Sequence, residues 1–213
     1  PEKPMKRVVI IGSGNLAEAL ARAVAKSGLE LVQIFARNAE RARIVAEAAA
    51  TDWATHPEML AQDADIYLIA VSDRAVEQVA ATLPIPQGAA VAHTAGSVPL
   101  AAIPPKFTRR AVFYPMQTFT QGREVDFSVI PIFLETPSAE LRPELEAFAR
   151  QLSGTVIWAT SEQRAKVHLA AVFACNFANH MYAVGERIVH DAGLDFDVLK
   201  PLIAETAAKA CDA

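Results

Sequence analysis

Gly12, Gly14 and Ala17, in the string Gly12-Ser13-Gly14-Asn15-Leu16-Ala17, are the residues whose types and spacing point most directly to chemistry. A first glycine permits a sharp turn, a second lets the backbone come close to a pyrophosphate, and a small third residue lets a helix pack tightly on a sheet. Such a turn needs a strand before it and a helix after it, because the helix N-terminus supplies the N–H groups and the partial positive charge that meet phosphate. Val8-Val9-Ile10-Ile11 reads as a buried strand, and Glu18 to Ser27 has an Ala-rich, helical composition. In that setting the pattern predicts a dinucleotide site, with Gly12, Ser13, Gly14, Asn15 and Leu16 at the phosphates; outside it, the same string is an ordinary glycine turn.

The next apolar run, Leu31 to Ala36, ends in Arg37-Asn38. Sites for NAD keep an Asp or Glu at this strand end for the ribose hydroxyl, whereas an Arg accommodates the additional phosphate of NADP. No acid appears here before Glu40. Arg37, whose planar fork suits phosphate, therefore predicts NADP(H), against the plainer alternative of a solvated arginine at a strand end.

The elements that must position these groups alternate along the chain. Asp65 to Val71, Ala89 to His93, Arg110 to Tyr114, Val129 to Leu134 and Thr155 to Ala159 read as strands. Helical segments lie at about Ala39 to Ala50, Arg74 to Leu83 and Ala139 to Leu152, with Ser72 or Asp73 placed to cap the second of them. This alternation predicts an α/β fold with a doubly wound, mostly parallel sheet. Ligands in such sheets lie outside the carboxyl ends of the strands, which brings forward Ser72 and Asp73, His93 to Ser97, and Tyr114 to Thr118. His93 can act as an acid or be a buried structural histidine, and the small Ala95 and Gly96 leave room for a flat ring against the backbone.

From Ser161 the pattern changes to a long helix reaching Tyr182 and on to Asp191, a turn at Ala192 to Asp195, and a second helix from Phe196 to Ala210. The domain boundary is expected at Thr160, with residues 1–160 forming the sheet domain and 161–213 a small, all-helical one. Lys166, His168, Asn176, Asn179 and His180 lie among apolar neighbours on the long helix. At 100° per residue, His168 and Asn179 fall about 20° apart and Lys166 and His180 about 40°, which predicts two polar stripes. Polar groups on an apolar helix must either pair with one another or face a ligand.

Composition bounds the function. A chain of 213 residues, 52% hydrophobic, can bury a sizeable core, and a formal charge of −4 is a poor match for nucleic acid or an anionic membrane. Only Cys175 and Cys211 are present, and no metal cluster or disulfide framework is expected from them. The segment Pro1 to Arg7 carries no leader-like apolar run, and no later stretch has membrane-spanning length without charge, so a cytoplasmic protein is expected. Two helices cannot close a core alone, so they must pack on the sheet domain, on a second subunit or on chain beyond Ala213, and of these a homodimer through the segment after Thr160 is the expectation.

With these residues in view, the chain resembles the superfamily that joins an N-terminal Rossmann domain to an all-helical C-terminal domain. Its members include pyrroline-5-carboxylate reductase, prephenate dehydrogenase, β-hydroxyacid dehydrogenases, ketopantoate reductase and deazaflavin-dependent NADP oxidoreductase. The resemblance is carried by Gly12-Ser13-Gly14-Asn15-Leu16-Ala17, Ala36-Arg37-Asn38, Ala70-Val71-Ser72-Asp73 and His93-Thr94-Ala95-Gly96-Ser97. It is closest to a branch with a C-terminal domain of unknown function, through Pro115-Met116-Gln117-Thr118-Phe119 and the stretch Phe173 to His180. The resemblance implies further cofactor contacts at Val71, Ser72, Thr94, Ala95 and Gly96, and a chain that continues beyond Ala213. Departures bear on the substrate. Tyr114-Pro115-Met116-Gln117 stands where pyrroline-5-carboxylate reductases have Met-Pro-Asn, and Tyr114 replaces the His of the prephenate dehydrogenase motif. Of the Lys and Asn pair of hydroxyacid enzymes, only Asn176 carries over.

These readings imply an NADPH-dependent oxidoreductase for a small polar carbonyl or imine, with Asn176 and then His168 or Lys166 as the substrate-facing groups. The alternatives are an oxidative decarboxylase of the prephenate dehydrogenase kind and a non-enzymatic NADP-binding redox sensor.

Overall fold

In the computed structural model, which describes residues 4–212, the β-branched run of β1 (Arg7–Ile11) becomes a central strand, and Val8, Val9 and Ile10 are completely buried. A strand covered on both faces needs apolar side chains at every position, which is what this run supplies. The first unit continues through α1 (Asn15–Lys26), β2 (Glu30–Phe35), α2 (Ala39–Ala48), β3 (Asp52–Ala54), β4 (Ile66–Ile69) and α3 (Val76–Thr82). It is completed by β5 (Ala90–His93), β6 (Arg110–Pro115), β7 (Ile132–Glu135), α4 (Leu141–Arg150) and β8 (Val156–Trp158). The strands form one eight-stranded sheet in the order β3-β2-β1-β4-β5-β6-β7-β8. All neighbours are parallel except β6 and β7. This is the doubly wound, mostly parallel architecture expected from the sequence. The strand order reverses between β1 and β4, the switch point at which such sheets open a crevice.

Alternate residues of each strand feed two apolar layers. Val8, Ile10, Ile66 and Leu68 pack with Leu20 of α1, Val45 of α2 and Phe148 of α4. Val9, Ile11, Tyr67 and Ile69 pack with Ala80 of α3 and Phe107. The sheet is thereby clamped between helices, and its carboxyl edge is left to the loops.

One strand is added to the sequence reading and three local readings are corrected. Asp52-Trp53-Ala54 has no apolar run to announce a strand, yet it pairs with β2 as an edge strand, leaving Trp53 40% exposed. Residues Phe127–Val129 form a 3-10 turn capped by Asp126, whose side chain accepts from the Ser128 N–H at 2.9 Å, so the strand begins only at Ile132. Ser72 caps the turn before α3 without its hydroxyl, and Asp73 accepts from Ser97 instead. The long helix is not uniform: α5 (Ser161–Ala171) and α6 (Ala178–Asp191) are separated by a π-helical segment, Val172–Phe177. A π turn bonds i to i+5 and shifts the angular phase, so the stripes computed at 100° per residue do not carry across it.

The chain divides into two compact units, Pro1–Lys166 and Val167–Ala213. The division lies inside α5 rather than at Thr160 because the start of α5 belongs to the sheet: Arg164 is buried and ion-paired with Glu135 of β7. The second unit holds the rest of α5, the π segment, α6, a 3-10 turn at Phe196–Leu199 and α7 (Lys200–Cys211). Gly193, at φ +76°, supplies the left-handed residue that ends α6. Pro1 to Lys3 and Ala213 lie outside the described residues, so the expectations for the chain's two ends rest on sequence alone.

Candidate functional site

At the carboxyl end of β1 the chain must turn into α1 within three residues, Gly12 to Gly14, and Gly12 makes this possible. Its φ is +135°, and a Cβ there would stand 2.1 Å from the Ala70 carbonyl oxygen of the neighbouring strand's end. Its N–H donates to the Phe35 carbonyl at 2.8 Å, tying the turn to β2. Gly14 is the N-cap of α1, extended and exposed, and a Cβ added to it would meet nothing within 4 Å. The first helical bond is Glu18 N–H to the Gly14 carbonyl at 2.9 Å, and no side chain caps the preceding N–H groups. Those donors and the helix dipole make this turn a cradle for an anion. Ala17 is fully buried against the core, the packing role its size predicts.

The turn opens into a cleft of about 620 Å³ at the switch point. Gly12, Ser13, Gly14, Asn15 and Leu16 line it together with Arg37, Asn38 and Thr55, and with Val71, Ser72, Gln78 and Thr82. The residues predicted for phosphate and ribose thus converge. Asn38 also has a structural duty, since its side chain accepts from the Arg41 N–H at 3.0 Å and caps α2. Arg37 is exposed at the cleft rim.

Two residues that sequence reasoning passed over hold this turn. Arg41 donates through Nε to the Ser13 carbonyl at 3.3 Å and pairs through Nη2 with Glu18 at 2.9 Å. Glu18 is 5% exposed and also accepts from Arg22 at 2.8 Å and from the Gly122 N–H at 3.2 Å. Burial pushes its carboxyl upward, but the hydrogen bonds from Arg41 and Arg22 outweigh burial and hold it below the usual range. A carboxylate one turn from a phosphate cradle repels phosphate, and the two guanidinium groups offset that charge. Arg41 sits among alternating Glu and Arg, a pattern that reads as a solvated helix face, so only the distant Glu18 reveals its role.

Thr94, Ala95 and Gly96 do not line that cleft. They are buried at the end of β5, where the Thr94 N–H and hydroxyl both donate to the Ile69 carbonyl at 3.2 Å. His93, fully buried, accepts from the Ala95 N–H through Nδ1 at 3.2 Å, which leaves Nε2–H to donate to the Pro99 carbonyl at 3.3 Å. Burial, helped by the Arg164 charge, pushes its pKa down to about 4, so it is a neutral structural histidine near pH 7. Tyr114, at the end of β6, is mostly buried and raised by burial and by the Asp73 charge.

The residues expected to face substrate lie on α5, the π segment and α6. Lys166 is 76% exposed at the side chain and pairs with Glu162 of its own helix at 2.8 Å. His168 is half-buried on α5, and Asn176 is exposed within the π segment. Asn179 and His180 are exposed on α6, and Cys175 and Cys211 are exposed free thiols. No helix among the described residues is long and apolar enough to cross a membrane.

Comparison with known proteins agrees with this geometry. Residues 7–95 match the model of the family described as NADP oxidoreductase, coenzyme F420-dependent, and residues 130–213 match a domain of unknown function, DUF2520. The structure described as "putative NADP oxidoreductase BF3122" from Bacteroides fragilis is 40% identical, with a TM-score of 0.91 over 98% of this chain and 81% of its own. The chain belongs to this NADP oxidoreductase family. Its cofactor is NADP(H), and the open Gly14, the uncapped N-terminus of α1 and the strand-end Arg37 fit that dinucleotide. The same fold occurs in an imine reductase from Myxococcus stipitatus in complex with NADP+, 14% identical, TM-score 0.71, covering 97% of this chain and 73% of that one. It also occurs in a pyrroline-5-carboxylate reductase from Coxiella burnetii, 17% identical, TM-score 0.66, covering 98% and 79%. No curated protein matches the chain.

Proposed function

We propose that this oxidoreductase uses NADPH in preference to NADH and reduces a small polar carbonyl or imine. The observation that carries the reading is the cleft itself, where the glycine turn and Arg37 line one opening and no acid stands at the end of β2. When bound, NADPH supplies a hydride from its dihydronicotinamide ring. In this reading the N–H groups of Gly14, Asn15 and Leu16 hold the pyrophosphate, with Gly12 and Ser13 shaping the turn. Arg37 and Asn38 receive the ribose phosphate, Val71 and Ser72 form the facing lip, and Thr94, Ala95 and Gly96 seat the nicotinamide. The relatives that act on C=N bonds, an imine reductase and a pyrroline-5-carboxylate reductase, support that substrate class. Asn176 orients the substrate's polar atom, and His168 or Lys166 supplies the proton that the reduced oxygen or nitrogen takes up.

The second unit is proposed to form a homodimer. Leu169, Phe173, Phe177, Met181 and Ile188 are each at least half exposed, at spacings that place them along one helical run. Large apolar side chains exposed in close succession are the kind of surface that a second subunit covers. The test of function is turnover of a carbonyl and imine library by purified protein with NADPH, followed by loss of dihydronicotinamide absorbance. Binding of NADPH without turnover of any member would favour a sensor over an enzyme.

A further inference from the structure

The loop after β5 is held residue by residue. The Ser97 hydroxyl donates to Asp73 at 2.5 Å, and the Val98 carbonyl accepts from Arg164 Nη2 at 2.5 Å. The Pro99 carbonyl accepts from His93 Nε2 at 3.3 Å, and the Leu100 N–H donates to Ser161 Oγ at 3.0 Å. Four consecutive residues therefore each meet a polar group from another part of the first unit: the turn before α3, the start of α5, and the end of β5. Exposed loops are ordinarily the least stable parts of a fold, and each tie raises the free energy of local opening.

Arg164 and Ser161 provide two of these ties and are themselves aimed by a third residue. The second terminal nitrogen of Arg164 pairs with Glu135 at the end of β7, and the Ser161 hydroxyl donates to the Glu135 carboxylate at 2.8 and 2.9 Å. Arg164 is 1% exposed. Burying an arginine costs desolvation that its ion pair roughly repays, so a packed apolar pair of the same volume serves stability equally well. An ion pair at this position is better explained by what its geometry does. The planar guanidinium spans the Val98 carbonyl and the Glu135 carboxylate at once, which the point charge of a lysine does not do. Sequence separation hides the arrangement, since Arg164 and Val98 are 66 residues apart.

We propose that Arg164, aimed by Glu135 and assisted by Ser161, is a positioning residue that sets the loop following Ala95 and Gly96, and through it the seat of the nicotinamide ring. The proposal rests on the reading above that places the nicotinamide at Ala95 and Gly96. It adds a residue set outside the cofactor cleft that governs one half of the cofactor and not the other.

The test compares NADPH with adenosine 2′,5′-bisphosphate, which carries the adenine and ribose phosphate but no nicotinamide. Both are titrated into wild type, Arg164→Lys, Ser161→Ala and Ser161→Thr, and the emission of bound NADPH reports the surroundings of its ring. Arg164→Lys is expected to weaken NADPH about tenfold and return its emission toward that of free NADPH, while the bisphosphate changes less than about twofold. Ser161→Ala should shift both NADPH readouts in the same direction, and Ser161→Thr, which keeps the hydroxyl, should restore them. Equal weakening of both ligands would mark Arg164 as merely structural and overturn the proposal, as would unchanged NADPH affinity and emission. Should Arg164→Lys fail to fold, the Ser161 pair decides by the same criteria. Wild type that binds neither ligand refutes the cofactor cleft; wild type that binds the bisphosphate but leaves NADPH emission unaltered refutes only the nicotinamide seat, and either outcome removes the proposal.

Discussion

Arg41 Nε donates to the Ser13 carbonyl at 3.3 Å, so a residue of α2 holds the turn that α1 presents to phosphate. The same guanidinium neutralises Glu18, and the two functions are linked. Replacing Arg41 by Ala leaves Glu18 with Arg22 as its remaining ion-pair partner and removes the tie on Ser13. The expected loss is about 1–3 kcal/mol of stability by denaturant unfolding, together with weaker NADPH binding. Because the folded pKa of Glu18 is depressed, this stability is present above the unfolded value near 4.5 and fades as pH falls below it. Glu18→Gln on the Arg41→Ala background should recover cofactor affinity, since it removes the repelling charge; a double variant no better than the single one contradicts this account.

Arg37 stands at the end of β2 where an acid would serve NAD. NADPH is expected to bind at least about tenfold more tightly than NADH, a difference of roughly 1.4 kcal/mol that one charge-assisted contact supplies. Arg37→Ala should erase the preference by weakening NADPH and sparing NADH. Fluorescence titration of both nucleotides measures it, and equal affinities in the wild type rule the assignment out.

His93 makes stability depend on acid. Its folded pKa lies at about 4 against an ordinary 6.5, so the unfolded chain binds more protons between those values. The contribution is whole above pH 6.5 and is lost progressively as pH falls towards 4, amounting to roughly 3 kcal/mol at full protonation of the unfolded state. His93→Asn should remove this part of the pH dependence in urea titrations between those limits. An unaltered slope would show that the acid sensitivity lies elsewhere.

Asn176 is exposed in the π segment, a type of helical distortion found frequently at functional sites. Once a turned-over substrate is known, Asn176→Ala should lower kcat by about a hundredfold while NADPH affinity changes less than about threefold, the pattern of a lost positioning group. His168→Ala and Lys166→Ala should have smaller effects, with a shifted acid limb in the kcat profile for whichever residue supplies the proton. Full activity in Asn176→Ala would end the proposal for this helix.

The rings of Phe173 and Phe177 meet at a tilt, 4.9 Å between centroids, yet are 63% and 50% exposed. Light scattering on the intact protein at micromolar concentration should give the mass of a dimer, and Phe173→Glu should convert it to a monomer. A wild-type monomer contradicts the proposed interface.

The turn from β1 to α1 was legible in the sequence because its requirements are local: a buried strand, a glycine where the backbone passes close to Ala70, and a helix start free of a side-chain cap. Alternating apolar runs likewise announced the order of strands and helices, since the side-chain period follows from backbone geometry. What the residues did not announce depended on partners far along the chain. Arg41 meets Ser13 across 28 positions and Arg164 meets Val98 across 66, so neither reads as more than a charged residue on a helix. Strand β3 exists because the edge of β2 offered it hydrogen bonds, not because Asp52-Trp53-Ala54 favours a strand. The π segment is invisible to a count at fixed pitch. Chemical type and short spacing are written in the chain, whereas the choice of which charge is buried, and against what, is made only when distant segments compete for the same space and the same hydrogen bonds.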